Sequence, residues 1–110
     1  MFHAQLPAVD AAAVPSDGFL LDVREDDEWA AGHAVGALHI PMGELAARIA
    51  ELPQDRRLHV VCRVGGRSAQ VAQYLIAQGM DAVNVDGGMR RWDSAGRPMV
   101  SDAGDDPYVL

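Results

Sequence analysis

Lysine is absent from the sequence. All nine basic side chains are arginines, against sixteen aspartates and glutamates, and the net charge is −7. A chain of this balance has no basic face with which to neutralise phosphates, so nucleic acid and anionic membrane surfaces are excluded as partners. An anionic substrate has to be drawn in locally by a few placed arginines, against an unfavourable overall field. Cysteine occurs once, at Cys62. One thiol excludes an internal disulfide, a CxxC redox pair and a multi-cysteine zinc site. The four histidines, His3, His33, His39 and His59, lack the close spacing of a metal-binding motif. Each is assigned a structural or surface role, and no metal or other cofactor is expected. Long apolar runs are missing too: none approaches the roughly 18 residues of a membrane helix. The opening stretch MFHAQLPAVDAAAVPSDG has no basic start and no solid apolar segment. It does not read as a secretory signal, and a cytoplasmic location is the expectation.

What is present is an ordinary globular composition, 49% hydrophobic, over 110 residues. That is enough for one domain with one core, assigned to residues 1–110 with its core at 16–100. The pattern alternates between short strand-like runs and helical ones. FLLDV (19–23) is a buried strand after the turn signal PSDG, and DDEWAAG (26–32) is one or two helical turns with acidic residues at its start. ALHI (37–40) is a short strand closed by Pro41. Leu45, Ile49 and Leu52 recur at i, i+4 and i+7, which predicts an amphipathic helix over 43–52. LHVVC (58–62) is the clearest strand. From Arg67 the period becomes helical, with Ser68, Val71, Ala72, Leu75 and Ile76 on one face and Gly79 as the stop. DAVNVD (81–86) is a further strand, followed by GGM and a short helix around Arg90 to Ala95. The acidic ending SDAGDDPYVL (101–110) has no periodicity and is expected to be mobile. Strands separated by helices imply a mainly parallel sheet flanked by helices on both faces, an α/β fold with its site at the carboxyl ends of the strands.

Cys62 stands at such an end, in the stretch CRVGGRSA (62–69). A lone cysteine is ordinarily a small buried hydrophobe. Here it precedes a helix start, where unpaired N–H groups and the positive end of the helix dipole favour a thiolate. Arg63 and Arg67 act in the same direction, which lowers the thiol pKa from its ordinary value of about 8.5. Gly65 and Gly66 open torsions that let the loop curl around the sulfur with its N–H groups turned inward. The expected site is an anion cradle with a sulfur nucleophile at its floor. Cys62 and Arg67 enclose four residues. Cysteine phosphatases resemble this arrangement but enclose five. The shorter loop is expected to fit one extra sulfur atom better than a tetrahedral phosphate.

Four motifs in order extend the reading: LLDVREDDEW, GHAVGALHIP, HVVCRVGGRSAQVAQYL and VDGGMRRWDSAGRPMV. Together, over roughly residues 16–100, they resemble the single-domain rhodaneses, sulfurtransferases of the rhodanese homology family. The resemblance implies a rhodanese-like fold and a double displacement. Cys62 would take sulfur from a donor such as thiosulfate or an organic persulfide, and pass it to cyanide or a thiol acceptor, a protein thiol included. Arg63, Val64, Gly65, Gly66, Arg67 and Ser68 would bind the substrate, with backbone N–H groups holding the persulfide. The resemblance implies no cofactor; a monomer is favoured. Val35 stands where the family often has proline. Val64 stands where a hydroxyl residue is common, which makes an organic persulfide as plausible a donor as thiosulfate.

Around this loop, Arg63 is assigned direct substrate contact and Arg67 the closing of the loop. Ser68 is assigned a helix cap, with a bond to the loop backbone as the alternative. Asp22 and Arg24 are assigned a supporting ion pair, with Arg24 alternatively reaching the pocket. Trp92 is read as core or pocket wall, Arg90 and Arg91 as a solvated helix face, and His33 as the maker of a structural hydrogen bond. Two other functions compete with the enzyme: a sulfur-carrier or interaction module with little activity on thiosulfate, and a small cysteine phosphatase or arsenate reductase.

Overall fold

The structure, a computed structural model, describes residues 6–110, so His3 lies outside the described residues. Five parallel strands form the main sheet in the order β1-β6-β5-β2-β4. They are β1 (Ala8–Asp10), β2 (Phe19–Asp22), β4 (Leu38–His39), β5 (Leu58–Val61) and β6 (Ala82–Asp86). A short antiparallel pair stands apart, β3 (His33–Ala34) with β7 (Met99–Val100). The helices are α1 (Asp26–Ala31), α2 (Leu45–Arg48), α3 (Gly66–Ala77) and α4 (Gly88–Ser94). No helix among the described residues is long and apolar enough to cross a membrane.

Strand side chains alternate between the two faces of the sheet, and the core divides accordingly. Leu21, Leu58, Val60 and Cys62 pack with Leu45, Val71, Ala72 and Leu75 of α2 and α3 on one face. Leu20, Val61 and Val85 pack with Met89 and Trp92 of α4 on the other. All four residues of β5 are buried, as a central strand covered on both sides requires. Because Cys62 continues the β5 alternation, its side chain points toward α3.

Several expectations change. Residues 43–52 are not one helix: 3₁₀ turns at Met42–Glu44 and Ile49–Glu51 flank the single α-turn of α2. Leu45 and Leu52 are nevertheless buried and Ile49 packs against them; the apolar spacing suits either backbone. Ile76 is 40% exposed and off the buried face of α3. The last helix begins at Gly88 rather than Arg90. Strand β1, unread in the sequence, pairs with β6 from Ala8 to Asp10. Residues 101–110, expected to be mobile, meet the end of α1 at two points. The N–H groups of Asp102 and Tyr108 donate to Ala30 and Ala31, each at 3.1 Å. These are end-of-helix carbonyls with no partner inside the helix.

Candidate active site

The site is built where β5 hands over to α3. Cys62 is 1% exposed. Its Sγ accepts the Gly65 N–H at 3.1 Å and lies 3.2 Å from the Ser68 hydroxyl. Burial alone pushes the thiol up. The Ser68 hydroxyl and the N–H groups of Ser68, Gly65 and Val64 outweigh it, and the thiol is held below its ordinary range. Ser68 is fully buried. It bonds to the Cys62 sulfur, and the capping position expected of it belongs to Gly65. Gly65 has φ +122°, a torsion that a β-carbon would strain, and this bend brings its own N–H back onto the sulfur.

The loop is held open from outside. The first N–H groups of α4 donate to its carbonyls, Met89 to Cys62 at 2.9 Å and Arg90 to Arg63 at 3.1 Å. Within a trans peptide the N–H opposes the C=O. Carbonyls drawn outward to α4 leave the N–H groups of Arg63 and Val64 turned the other way, into the loop. A third contact comes from β6, where Asn84 Nδ2 donates to the Gly65 carbonyl at 3.2 Å. Sequence reading missed both Asn84 and the role of α4's first turn. A polar side chain between two valines in the strand AVNVD was the available signal for Asn84.

The two loop arginines each make a contact that the sequence did not reveal. Arg67 makes a two-pronged ion pair with Glu28 of α1, Nη1 to Oε1 at 2.7 Å and Nη2 to Oε2 at 2.9 Å. Its guanidinium ties the start of α3 to α1, and its positive charge still acts on Cys62. Arg63 donates from Nε to the Leu110 backbone oxygen at 3.1 Å. With Arg90, Asp93, Ser94 and Val109 it lines a surface hollow. Val64 is 53% exposed, an apolar residue on the rim. Asp22 and Arg24 form the expected supporting pair, wholly buried, with Nε to Oδ1 at 3.0 Å and Nη2 to Oδ2 at 2.8 Å. Arg24 Nη2 also reaches the Gly32 carbonyl at 2.8 Å, so the pair joins the end of β2 to the end of α1 and does not enter the pocket. His33 makes its structural contact, Nδ1 with the Trp29 carbonyl at 2.8 Å, and its ring stacks on that indole. Trp92 is core, and its Nε1 donates to the Pro98 carbonyl. Arg91 is exposed and pairs with Asp10.

Glu28 is pulled down to about 2 by Arg67, with burial opposing and the Glu25 N–H assisting. Its folded pKa lies below the ordinary carboxylate value, so its contribution to stability is complete above about pH 4.5 and is lost as pH falls toward 2. Arg67 is partly exposed, which screens the pair. Glu28→Gln is therefore expected to cost about 1–2 kcal/mol at neutral pH. Urea unfolding of the two proteins should converge as pH drops below 4. A constant difference across that range would show that the pair is not the source.

Residues 8–95 match the rhodanese-like domain. The chain belongs to the rhodanese-like domain family. Among its relatives, the Bacillus subtilis protein YtwF is 42% identical over 80 residues, 73% of this chain and 78% of its own length. A sulfurtransferase of Allochromatium vinosum is 39% identical over 89 residues, 80% of this chain and 83% of that protein. The crystal structure of a rhodanese-related protein from Thermoplasma volcanium superposes with a TM-score of 0.81 at 32% identity. It covers 86% of this chain and 97% of the other. The family match begins at Ala8, so strand β1 lies within the matched residues.

Proposed function

We propose that this rhodanese-like domain is a sulfurtransferase that carries sulfane sulfur as a Cys62 persulfide. The observation that carries the reading is the buried Cys62 sulfur, bonded to Gly65 N–H and Ser68 at the head of α3. In the first half-reaction the Cys62 thiolate attacks the outer sulfur of the donor. With thiosulfate, the S–S bond breaks, sulfite leaves with the electron pair, and Cys62–S–S⁻ remains. In the second half, cyanide or an acceptor thiolate attacks the terminal sulfur. Thiocyanate or a new persulfide departs and the Cys62 thiolate returns. No net oxidation occurs, and the loop N–H groups and Ser68 hydroxyl that lower the thiol pKa assist its ionisation in place of a separate base. The inward N–H groups of the loop hold the negative charge of the outer sulfur.

The Arg67–Glu28 pair supports sulfur transfer over phosphate-ester hydrolysis. Phosphoryl chemistry relies on a guanidinium facing the phosphate oxygens, and here both terminal nitrogens of the Arg67 guanidinium bond a carboxylate. A persulfide sulfur carries a single charge, which backbone N–H groups can hold. The carrier reading is favoured by one observation, the exposed Val64 in place of a hydroxyl donor at the rim. An apolar rim suits the carbon chain of an organic persulfide better than thiosulfate, whose sulfonate oxygens need hydrogen-bond donors. Stopped-flow loading of the protein with thiosulfate and with glutathione persulfide tests this. The organic persulfide should be faster, and Val64→Thr should raise the thiosulfate rate severalfold while leaving the other within about twofold, the scale of one neutral hydrogen bond. Equal changes with both donors would remove Val64 as the determinant.

A further inference from the structure

Asn84 breaks the pattern of its strand. It is 6% exposed, and its neighbours Val83 and Val85 are apolar and buried. Asn84 lies opposite Val60 in the β5–β6 register, so it shares the α3 face with Cys62. Its Oδ1 is buried without a protein partner. An unpaired buried acceptor costs about 1–3 kcal/mol, and a leucine of similar size would avoid that cost. The only bond Asn84 makes through its side chain among the described residues is the one from Nδ2 to the Gly65 carbonyl. The orientation of the amide follows from this contact, because the reversed amide would set two acceptor oxygens against each other.

The Gly65 carbonyl belongs to the peptide that opens α3. It also accepts the Ala69 N–H at 3.2 Å. With that oxygen held on the sheet and helix side, the N–H on the far side of the same peptide, that of Gly66, is aimed toward the loop interior. Gly66 is the first residue of α3 and its N–H has no partner within the helix. The same tether fixes the Gly65 residue whose own N–H bonds Cys62 Sγ. Gly65 needs it: φ +122° lies in a broad region open to glycine, with no side chain to lock the torsion.

We infer that Asn84 is a positioning residue of the sulfur site, holding the Gly65–Gly66 peptide so that its N–H groups face the nucleophile and the sulfur it carries. The inference rests on the persulfide reading for the second sulfur but not for the thiol. Asn84 touches neither sulfur and acts through the loop backbone. The role is distinct from that of α4, whose amides hold the Cys62 and Arg63 carbonyls from the opposite part of the loop.

The test compares wild type with Asn84→Leu, which keeps the volume and removes the donor, and with Asn84→Asp, which keeps the shape and replaces the donor by an acceptor. Two readouts are taken on protein whose thermal unfolding has been recorded. One is the pH profile of Cys62 alkylation by iodoacetamide, which needs no sulfur chemistry. The other is the lifetime of the persulfide formed with glutathione persulfide. Both variants should alkylate with a midpoint displaced to higher pH, more so in Asn84→Asp, where a carboxylate stands near the thiolate. Both should lose their persulfide about fivefold to tenfold faster, the effect of one to one and a half kcal/mol in a hydrogen bond. Should Asn84→Leu fail to fold, Asn84→Asp carries the same two readouts. An unchanged alkylation profile in a folded variant would overturn the positioning role. If wild type formed no persulfide at all while the variants still shifted the alkylation profile, the sulfur-transfer reading would fall and the role of Asn84 would stand.

Discussion

Cys62→Ala is expected to reduce sulfur transfer by at least about 10³-fold, the scale on which covalent catalysis is lost with its nucleophile. The protein should remain folded. The sulfur is a single buried atom, and its removal leaves a small void and unpaired Gly65 N–H and Ser68 hydroxyl groups. Those losses amount to about 1–2 kcal/mol, a fall of less than about 10 °C in Tm. Cys62→Ser separates the two effects further. Its hydroxyl can take the same Gly65 and Ser68 contacts, so stability should lie closer to wild type, yet an alcohol far from ionised at neutral pH cannot replace a thiolate. Continuous assay with thiosulfate and with an organic persulfide, alongside thermal unfolding, checks both. Residual transfer above a few per cent in folded Cys62→Ala would remove Cys62 from the chemistry.

The largest expected effect on the fold, away from Cys62, is at Gly88. This residue has φ +57° and begins α4 where that helix meets the loop carbonyls. A β-carbon there would lie 2.6 Å from the Cys62 carbonyl oxygen and closer still to that of Arg63. Backbone cannot swing away as a flexible side chain can. Gly88→Ala is therefore expected to cost about 3 kcal/mol or more, with a fall of roughly 10 °C or more in Tm. Transfer should drop in whatever fraction stays folded, because separating α4 from the loop frees the Cys62 and Arg63 carbonyls and the N–H groups they orient. Gly36→Ala is the control. Gly36 has φ +82° with nothing within 4 Å of the added carbon, so it carries the torsional cost alone, about 1 kcal/mol. Differential scanning calorimetry on both variants distinguishes crowding from torsion. Equal losses would mean that the contact between α4 and the loop is slack.

The central unit was legible in the residues themselves. The run of apolar β-branched residues from Leu58, the glycine pair and the change to helical period from Arg67 specify strand, loop and helix locally, and Cys62 falls between them. The ion pair of Asp22 and Arg24 was legible for the same reason, since its members are two residues apart. What escaped depends on distant partners. Arg67 reads as a loop-closing cation until Glu28, 39 positions earlier, arrives on α1 to claim both of its prongs. Ser68 at the start of a helix reads as a cap. Only the bend at Gly65 places its hydroxyl on the sulfur instead. Strand β1 is three residues long and has no period of its own; its pairing with β6 defines it. The ending from Ser101 looks structureless because it has no repeating pattern: its bonds go partly to the end of α1, from Asp102 and Tyr108, and partly to a local turn, Gly104 N–H to the Ser101 carbonyl. The segment 43–52 shows the reverse case. Its apolar side chains were placed correctly, while the spacing could not choose between α and 3₁₀ turns.

The most direct measurement is the intact mass of the protein, under non-reducing conditions, after exposure to thiosulfate and separately to glutathione persulfide, and again after cyanide. The expected result is a gain of one sulfur atom, absent in Cys62→Ala, stable until cyanide is added and then lost with the appearance of thiocyanate. No gain from either donor, or a gain that persists in Cys62→Ala, would contradict a Cys62 persulfide as the working state of this site.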